Sequence, residues 1–264
     1  MHDFNYRRPG GLSSALEAFA RAEDGQYLAG GQTTIPVMKL RRAMPTDVID
    51  LAGIEELRGI SVGETAVTVG AMTTHSEVAS SADVRGAIPV LAEMAGGIGD
   101  PHVRNRGTLG GSIANNDPAA DYPAAVVGLG ATVHTDRRQI PGDDFFTAIF
   151  ETALEEGELI TRVDFPIPEA AAYAKFKNPA SRFALVGVLI SRGPKGIRVA
   201  VTGAGPCVFR VPEMEEALGG DFTPGALRRI SVPAGDLNTD IHASAEYRAH
   251  LIGVMARRAL ERMV

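Results

Sequence analysis

Apolar residues at Leu12, Ala15, Leu16, Phe19 and Ala20 recur at helical spacing, which predicts a first helix with Ser14 and Glu17 as its capping box. The short run Gln26–Ala29 then reads as a strand entering a glycine cluster, with Pro36 near the start of a helix over Val37–Arg41. Val48–Leu51 is a second short strand, and Leu57–Val62 and Ala66–Ala71 flank Gly63-Glu64-Thr65, a strong hairpin signal. Ser76–Ser80 and Val84–Ala95 carry helical patterns, the second interrupted around Pro89. After a second glycine-rich stretch the pattern gives a helix from about Ala119 to Leu129 and a strand at Ala131–Thr135. A further strand at Glu158–Phe165 ends in Pro166-Ile167-Pro168, the best linker candidate in the chain.

Beyond that linker the character shifts. Ala171–Lys177, Ala184–Ser191 and Gly196–Thr202 are strand-rich, with Ile197, Val199 and Val201 alternating. Tyr247, Leu251, Val254, Met255, Leu260 and Met263 mark a closing amphipathic helix. The expected division is residues 1–167, with subdomains of about 1–55 and 56–167, and residues 168–264.

Composition narrows the function classes. A length of 264 residues and 45% hydrophobic content suit an ordinary globular protein of two domains. A formal charge of -6 argues against a general nucleic-acid binder, which needs concentrated Lys and Arg. No apolar run approaches a membrane span and no apolar leader is seen, so a cytoplasmic protein is expected. The single cysteine, Cys207, makes neither an intrachain disulfide nor an iron–sulfur cluster, and reads as a small buried residue. The six histidines show no metal-ligand spacing. Redox chemistry here would therefore run on an organic cofactor, with any metal centre on another chain.

The candidate chemistry lies in two clusters. The first is Ala29-Gly30-Gly31-Gln32-Thr33-Thr34-Ile35-Pro36; the second, some seventy residues on, runs from Ile98 through Arg104-Asn105-Arg106-Gly107-Thr108-Leu109-Gly110-Gly111-Ser112 to Asp121. A Gly-Gly pair is most often a turn, but followed by Ser or Thr it also lets backbone N–H groups and hydroxyls approach a ligand closely. There is no Gly-x-x-x-x-Gly-Lys-Ser/Thr, and each Gly-x-Gly lacks the third glycine of the dinucleotide fingerprint, so neither a P-loop nor a Rossmann site is present.

The pair of clusters, in this order, resembles the FAD-binding subunit of molybdenum hydroxylases, most closely the medium subunit of aerobic carbon monoxide dehydrogenase-type enzymes and the FAD-binding subunit of the xanthine dehydrogenase family. That resemblance implies an α+β fold of the vanillyl-alcohol-oxidase-like (PCMH) type, with two subdomains holding an extended FAD, followed by a C-terminal α+β domain. It implies partners: a large molybdopterin subunit and a small subunit with two [2Fe–2S] clusters. Electrons would pass from those clusters to FAD and on to a quinone, NAD or dioxygen.

Carried over by position, Ala29 through Pro36 would wrap the pyrophosphate, with Gly30, Gly31 and Gln32 N–H groups and the Thr33 and Thr34 hydroxyls as donors. Thr108, Gly110, Gly111 and Ser112 would form the second wall, Ile98 would pack on the flavin or adenine, and Asn115 would reach the flavin side. Asp121 resembles the family's acceptor for an adenosine ribose hydroxyl; by itself it reads equally as a helix N-terminal charge. Lys175, in Tyr173-Ala174-Lys175-Phe176, resembles a lysine lying near the flavin; otherwise it is a solvated strand lysine, with Lys177 competing. The chain departs from the pattern at Asn178 and Arg182, where the family often has Arg and Asp. His75 reads as a helix-start residue or a cofactor neighbour, Asp100 and His102 as structural members of the second loop, and Arg104 and Arg106 as salt-bridge formers within the loop or to a partner. Two other functions fit the same features: a stand-alone FAD-dependent oxidase or reductase, and a nucleotide-binding assembly protein.

Overall fold

A computed structural model describes residues 1–263. The chain opens with β1 (Asn5–Arg7), α1 (Leu12–Ala20), β2 (Gly25–Leu28), α2 (Thr34–Lys39) and β3 (Asp47–Asp50). The three strands form a parallel sheet in the order β1-β3-β2, so α1 and α2 serve as the crossovers that parallel pairing requires. Ala15 on α1 packs into a small core with Ile49, Leu51, Ile54 and Leu57. The expected capping box is not formed. Gly11 is the N-cap, which makes Ser14 the third residue of the helix; its hydroxyl donates to the Gly11 carbonyl at 2.8 Å, and Glu17 pairs with Arg21 at 3.1 Å.

The next lobe begins with the hairpin β4 (Ile60–Val62) and β5 (Ala66–Gly70), closed by the Gly63 N–H donating to Ala66 O at 2.9 Å. Six short helices follow: α3 (His75–Ser80), α4 (Ala82–Ala87), α5 (Pro89–Gly96), α6 (Pro101–Arg104), α7 (Leu109–Asn115) and α8 (Tyr122–Gly128). Pro89 starts α5 because its missing N–H costs nothing in the first turn. The capping box of this protein is here, Thr74 and Glu77 satisfying each other's backbone at the start of α3. Then come β6 (Thr132–Thr135), β7 (Gln139–Pro141), α9 (Gly142–Phe145), the small hairpin β8 (Phe146–Ala148) and β9 (Glu151–Thr152), and β10 (Ile160–Pro166). β10 is inserted between β5 and β6, giving an antiparallel sheet of order β4-β5-β10-β6-β7. The elements from β7 to β9 are too short for a periodic signal, and the hydrophobic pattern did not predict them.

The remaining chain forms an antiparallel sheet in chain order, β11 (Ala170–Lys177), β12 (Ala184–Gly193), β13 (Gly196–Thr202) and β14 (Phe209–Arg210), followed by α10 (Pro212–Gly220) and α11 (Ala245–Leu260). α11 lays Leu251, Ile252, Met255 and Ala259 on Val186, Val188, Ile190, Val199 and Val201. The opposite face of the same sheet, Leu189 and Ala200, closes on α8 so tightly that a Cβ at Gly128 would lie 2.5 Å from Leu189 Cδ2. Arg198 reinforces the junction, donating to the Val127 carbonyl at 2.8 Å and bonding Asp143. The C-terminal sheet is thus buried on both faces, which is why its strands read as near-continuous apolar runs.

Candidate functional site

The two glycine clusters meet. A Cβ built on Gly30 would lie 2.1 Å from the Arg106 carbonyl oxygen and 2.8 Å from Gly107 Cα, and one on Gly111 would lie 3.2 Å from Ala29 Cβ. The backbones touch because no side chain stands between them. Gly31 also needs to be glycine for its conformation, with φ at 74°. Along this junction runs a cavity of about 580 Å³ lined by Ala29 through Thr34, Ile98, Thr108, Gly110, Gly111, Ser112, Asn115 and Asp121. That volume suits a drug-sized or dinucleotide ligand. Ile35 and Pro36 do not line it. They lie within α2, Ile35 directed under Gly31, where an added Cβ would meet its Cδ1 at 2.6 Å.

The two walls are built differently. In the first, the amides of Gly30, Gly31, Gln32 and Thr33 have no acceptor among the described residues. In the second, the stretch expected as a loop is the helix α7, and its amides are taken. Leu109 N donates to Thr73 O at 3.1 Å, Gly110 N to Ala71 O at 2.8 Å, Ser112 N to Thr108 O at 3.0 Å, and Gly111 N to the capping Thr108 Oγ1 at 3.1 Å. Gly110 is required by packing, since its Cβ would lie 2.6 Å from Ala71 Cβ. Beyond its hydroxyls, the second wall therefore has a free amide only at Thr108 among these residues.

Asp121 and Lys175 are brought together across 54 positions of sequence. Lys175 Nζ donates to Asp121 Oδ2 at 2.9 Å and to Gly97 O at 3.1 Å, and the Tyr173 hydroxyl donates to Asp121 Oδ1 at 2.5 Å. Asp121 sits at the N-cap of α8 but makes no capping bond. Burial pushes its carboxyl up, and the Lys175 charge with the Tyr173 hydroxyl opposes this only in part. The residue expected at the ribose and the one expected near the flavin are thus a single ion pair. Lys175 is also absent from the cavity wall; it holds the carboxylate that lines it. Removing either partner of such a buried pair costs about 3–5 kcal/mol.

Asn178 and Arg182 shape one rim. Asn178 Oδ1 accepts the Ala180 and Ser181 amides at 2.9 and 3.2 Å, a turn that leads to Arg182 with φ at 64°. Arg182 donates to the Gly99 carbonyl at 3.1 Å and lines the cavity with Phe183. Arg104 is also internal, donating to the Ile98 and Gly99 carbonyls, while Asp100 caps α6 through the His102 and Val103 amides. His102 is exposed, and Cys207 is half-buried with its thiol pushed up by burial.

Sequence reasoning missed another part of the wall, formed by Tyr27, Thr152, Leu154, Glu155 and Glu158. The Tyr27 hydroxyl donates to Gly157 O at 3.2 Å and burial pushes its pKa up to about 12. Arg138, the Glu155 amide and Thr135 bond Glu158 and hold its carboxyl down at about 2. Nothing in residues 152–158 marks a ligand site, since these are ordinary polar and apolar types. His75 does line the cavity, almost fully buried; burial, then Arg104, push its pKa down to about 4. Among the described residues no helix is long and apolar enough to cross a membrane, and no group of three metal-ligating side chains gathers.

The glycine cradle and the free amides fit a diphosphate, and comparison with known proteins points the same way. A family model described as "FAD binding domain in molybdopterin dehydrogenase" matches residues 2–168, and one described as "CO dehydrogenase flavoprotein C-terminal domain" matches residues 171–263. The carbon monoxide dehydrogenase medium chain of Hydrogenophaga pseudoflava is 35% identical, over 97% of this chain and 96% of its own length. The nicotine 6-hydroxylase medium subunit of Paenarthrobacter nicotinovorans is 34% identical, over 97% and 95%. Among solved structures, reconstituted CO dehydrogenase from Oligotropha carboxidovorans superposes with a TM-score of 0.91 at 32% identity, covering 99% of this chain and 98% of the other.

Proposed function

This chain belongs to the family of FAD-binding flavoproteins of molybdopterin dehydrogenases, and from that premise we propose how its residues serve the cofactor. It is the FAD-binding electron-transfer subunit of a heteromeric molybdenum-containing oxidoreductase. FAD held there would supply the redox chemistry that links [2Fe–2S] clusters on a small partner to an external quinone, NAD or dioxygen. Substrate oxidation itself belongs to a large molybdopterin-bearing partner.

The observation that carries the reading is the contact between the two glycine clusters. The amides of Gly30, Gly31, Gln32 and Thr33 and the hydroxyls of Thr33 and Thr34 hold one side of the diphosphate, and the Thr108 and Ser112 hydroxyls hold the other. Ile98 and Phe183 supply apolar wall, and Asn115 lies beside them in the same cavity. Asp121 keeps its place through Lys175 and Tyr173, so its carboxylate presents one fixed acceptor surface to the cofactor. No residue of this chain needs to act as acid or base on an organic substrate. Residues 1–167 provide the cradle and 168–264 the closing wall around Arg182 and Phe183.

The test is to titrate the purified chain with FAD. The expected protein is yellow, absorbs near 450 nm, bleaches with dithionite and is inert towards aldehydes, purines and carbon monoxide; co-expressed, it purifies with two other chains. Failure to take up flavin, or turnover of such a substrate by the chain alone, refutes the reading.

A further inference from the structure

The structure leaves one buried polar side chain in the cavity without a partner. His75 is 4% exposed, and its Nδ1 is fully enclosed with no hydrogen-bond partner among the described residues. The ring is clamped. Its backbone N–H donates to Gly107 O at 2.9 Å, Tyr122 lies against it with ring centroids 5.3 Å apart, and a Cβ on Gly107 would lie 2.6 Å from Nε2. Nε2 thus lies beside Gly107, and Gly107 is where Gly30 presses on the second cluster. His75 and Gly107 both line the cavity at that junction.

The chemistry of the junction is one-sided. The first wall offers four free backbone amides, whereas in the second the amides from Leu109 to Ser112 are bonded within the protein. Among the described residues lining the cavity, Arg182 is the only Lys or Arg, and it is committed to Gly99. A diphosphate accepts hydrogen bonds and donates none near neutral pH, so beside the Thr108 and Ser112 hydroxyls its second face has room for a further donor. We propose that His75 is a diphosphate-binding residue, donating Nε2–H to a phosphate oxygen of the cofactor from the second wall. This rests on the FAD reading given above. In that arrangement the proton sits on Nε2, and Nδ1 is the enclosed nitrogen.

The test compares the full-length wild-type chain with His75→Gln, which places an amide N–H near the position of Nε2, and His75→Met, which keeps volume without a donor. FAD affinity is measured by quenching of flavin fluorescence, and the ³¹P resonances of bound FAD are recorded. The expected result is a loss of about tenfold for His75→Met, near wild-type binding for His75→Gln, and a changed ³¹P shift in the Met variant. Wild-type binding by His75→Met with unchanged ³¹P shifts overturns the proposal, as does an equal loss in both variants with unchanged shifts, which marks a purely structural role. A wild-type chain that binds no flavin overturns the FAD reading itself, and this proposal with it.

Discussion

The two glycine pairs look alike as text and do opposite work in space. Gly30-Gly31 opens a loop whose amides point nowhere within the protein; Gly110-Gly111 begins a helix whose amides are all satisfied. In the first pair the absent side chains let the two clusters meet, Gly30 against Arg106, and the amides stay open to a ligand. In the second they serve packing with the amides bonded internally, Gly110 against Ala71 and Gly111 against Thr108. Binding function should therefore concentrate in the first cluster and folding function in the second, and the contrast can be attacked directly.

The largest effect is expected at Gly30. A methyl group there meets a backbone oxygen at 2.1 Å, and Arg106 O cannot rotate away as a side chain tip would. Ordinary overpacking costs about 1–3 kcal/mol. A contact this short with backbone forces the two clusters apart where the ligand is held, so Gly30→Ala should lower FAD affinity by roughly a hundredfold or more. The check is the absorbance near 450 nm retained after gel filtration. Retention of stoichiometric flavin would break the claim that the loops clasp one group.

A second effect separates the clusters by acid. His75 supports the second wall through Gly107, and its pKa is pushed from 6.5 to about 4, first by burial and then by Arg104. The folded state therefore resists the proton that the unfolded chain accepts, and stability is lost as pH falls from about 6.5 to about 4. That loss amounts to at most about 3 kcal/mol. Urea unfolding of the flavin-free protein across this range should show the slope, and His75→Gln should flatten it. A further fall below pH 4.5 belongs to Glu158, whose stabilising carboxylate is lost on the way down to its own value of about 2. The first loop has no titratable group and should show no comparable step.

Gly110→Ala comes next. The new methyl would meet Ala71 Cβ at 2.6 Å and Ala71 O at 2.8 Å in a fully buried place. Expected destabilisation is about 1–3 kcal/mol. For a chain of this size that lowers the melting temperature by a few degrees per kcal/mol. Flavin affinity in the surviving folded fraction should change less than in Gly30→Ala; the reverse ranking would invert the comparison.

These differences show what was legible in the sequence. Glycine is visible because it marks places where a side chain cannot be, and the residues flanking it followed by position. The purpose of each glycine was not visible, because that depends on neighbours far along the chain: Arg106 for Gly30, Ala71 for Gly110. The long strands β11 to β13 and the helix α11 were readable from periodicity, since each buries a wide apolar face. The Ser14–Glu17 box is absent because Gly11 is the N-cap, while the box that forms, Thr74–Glu77, heads the short helix α3. Asp121, Tyr173 and Lys175 each stand in a recognisable segment, but their union needs the C-terminal sheet to close on α8, which no local pattern encodes.

The finest test uses two threonines that head the two short helices. Thr33 is the N-cap of α2 and makes no side-chain capping bond; Thr108 is the N-cap of α7, and its Oγ1 accepts the Gly111 amide. An N-cap hydroxyl that accepts such a bond contributes about 0.5–2 kcal/mol. Thr108→Val keeps shape and removes that acceptor, so it should destabilise by about 1 kcal/mol, and Thr108→Ser should restore most of it. Thr33→Val removes a hydroxyl that supports nothing within the protein. Its melting temperature should stay near wild type while FAD affinity drops by a few fold, the worth of one net hydrogen bond. Parallel melts and flavin titrations of the two valine variants give four numbers. If Thr33→Val melts early and Thr108→Val does not, the assignment of ligand access to one cluster and self-packing to the other is wrong.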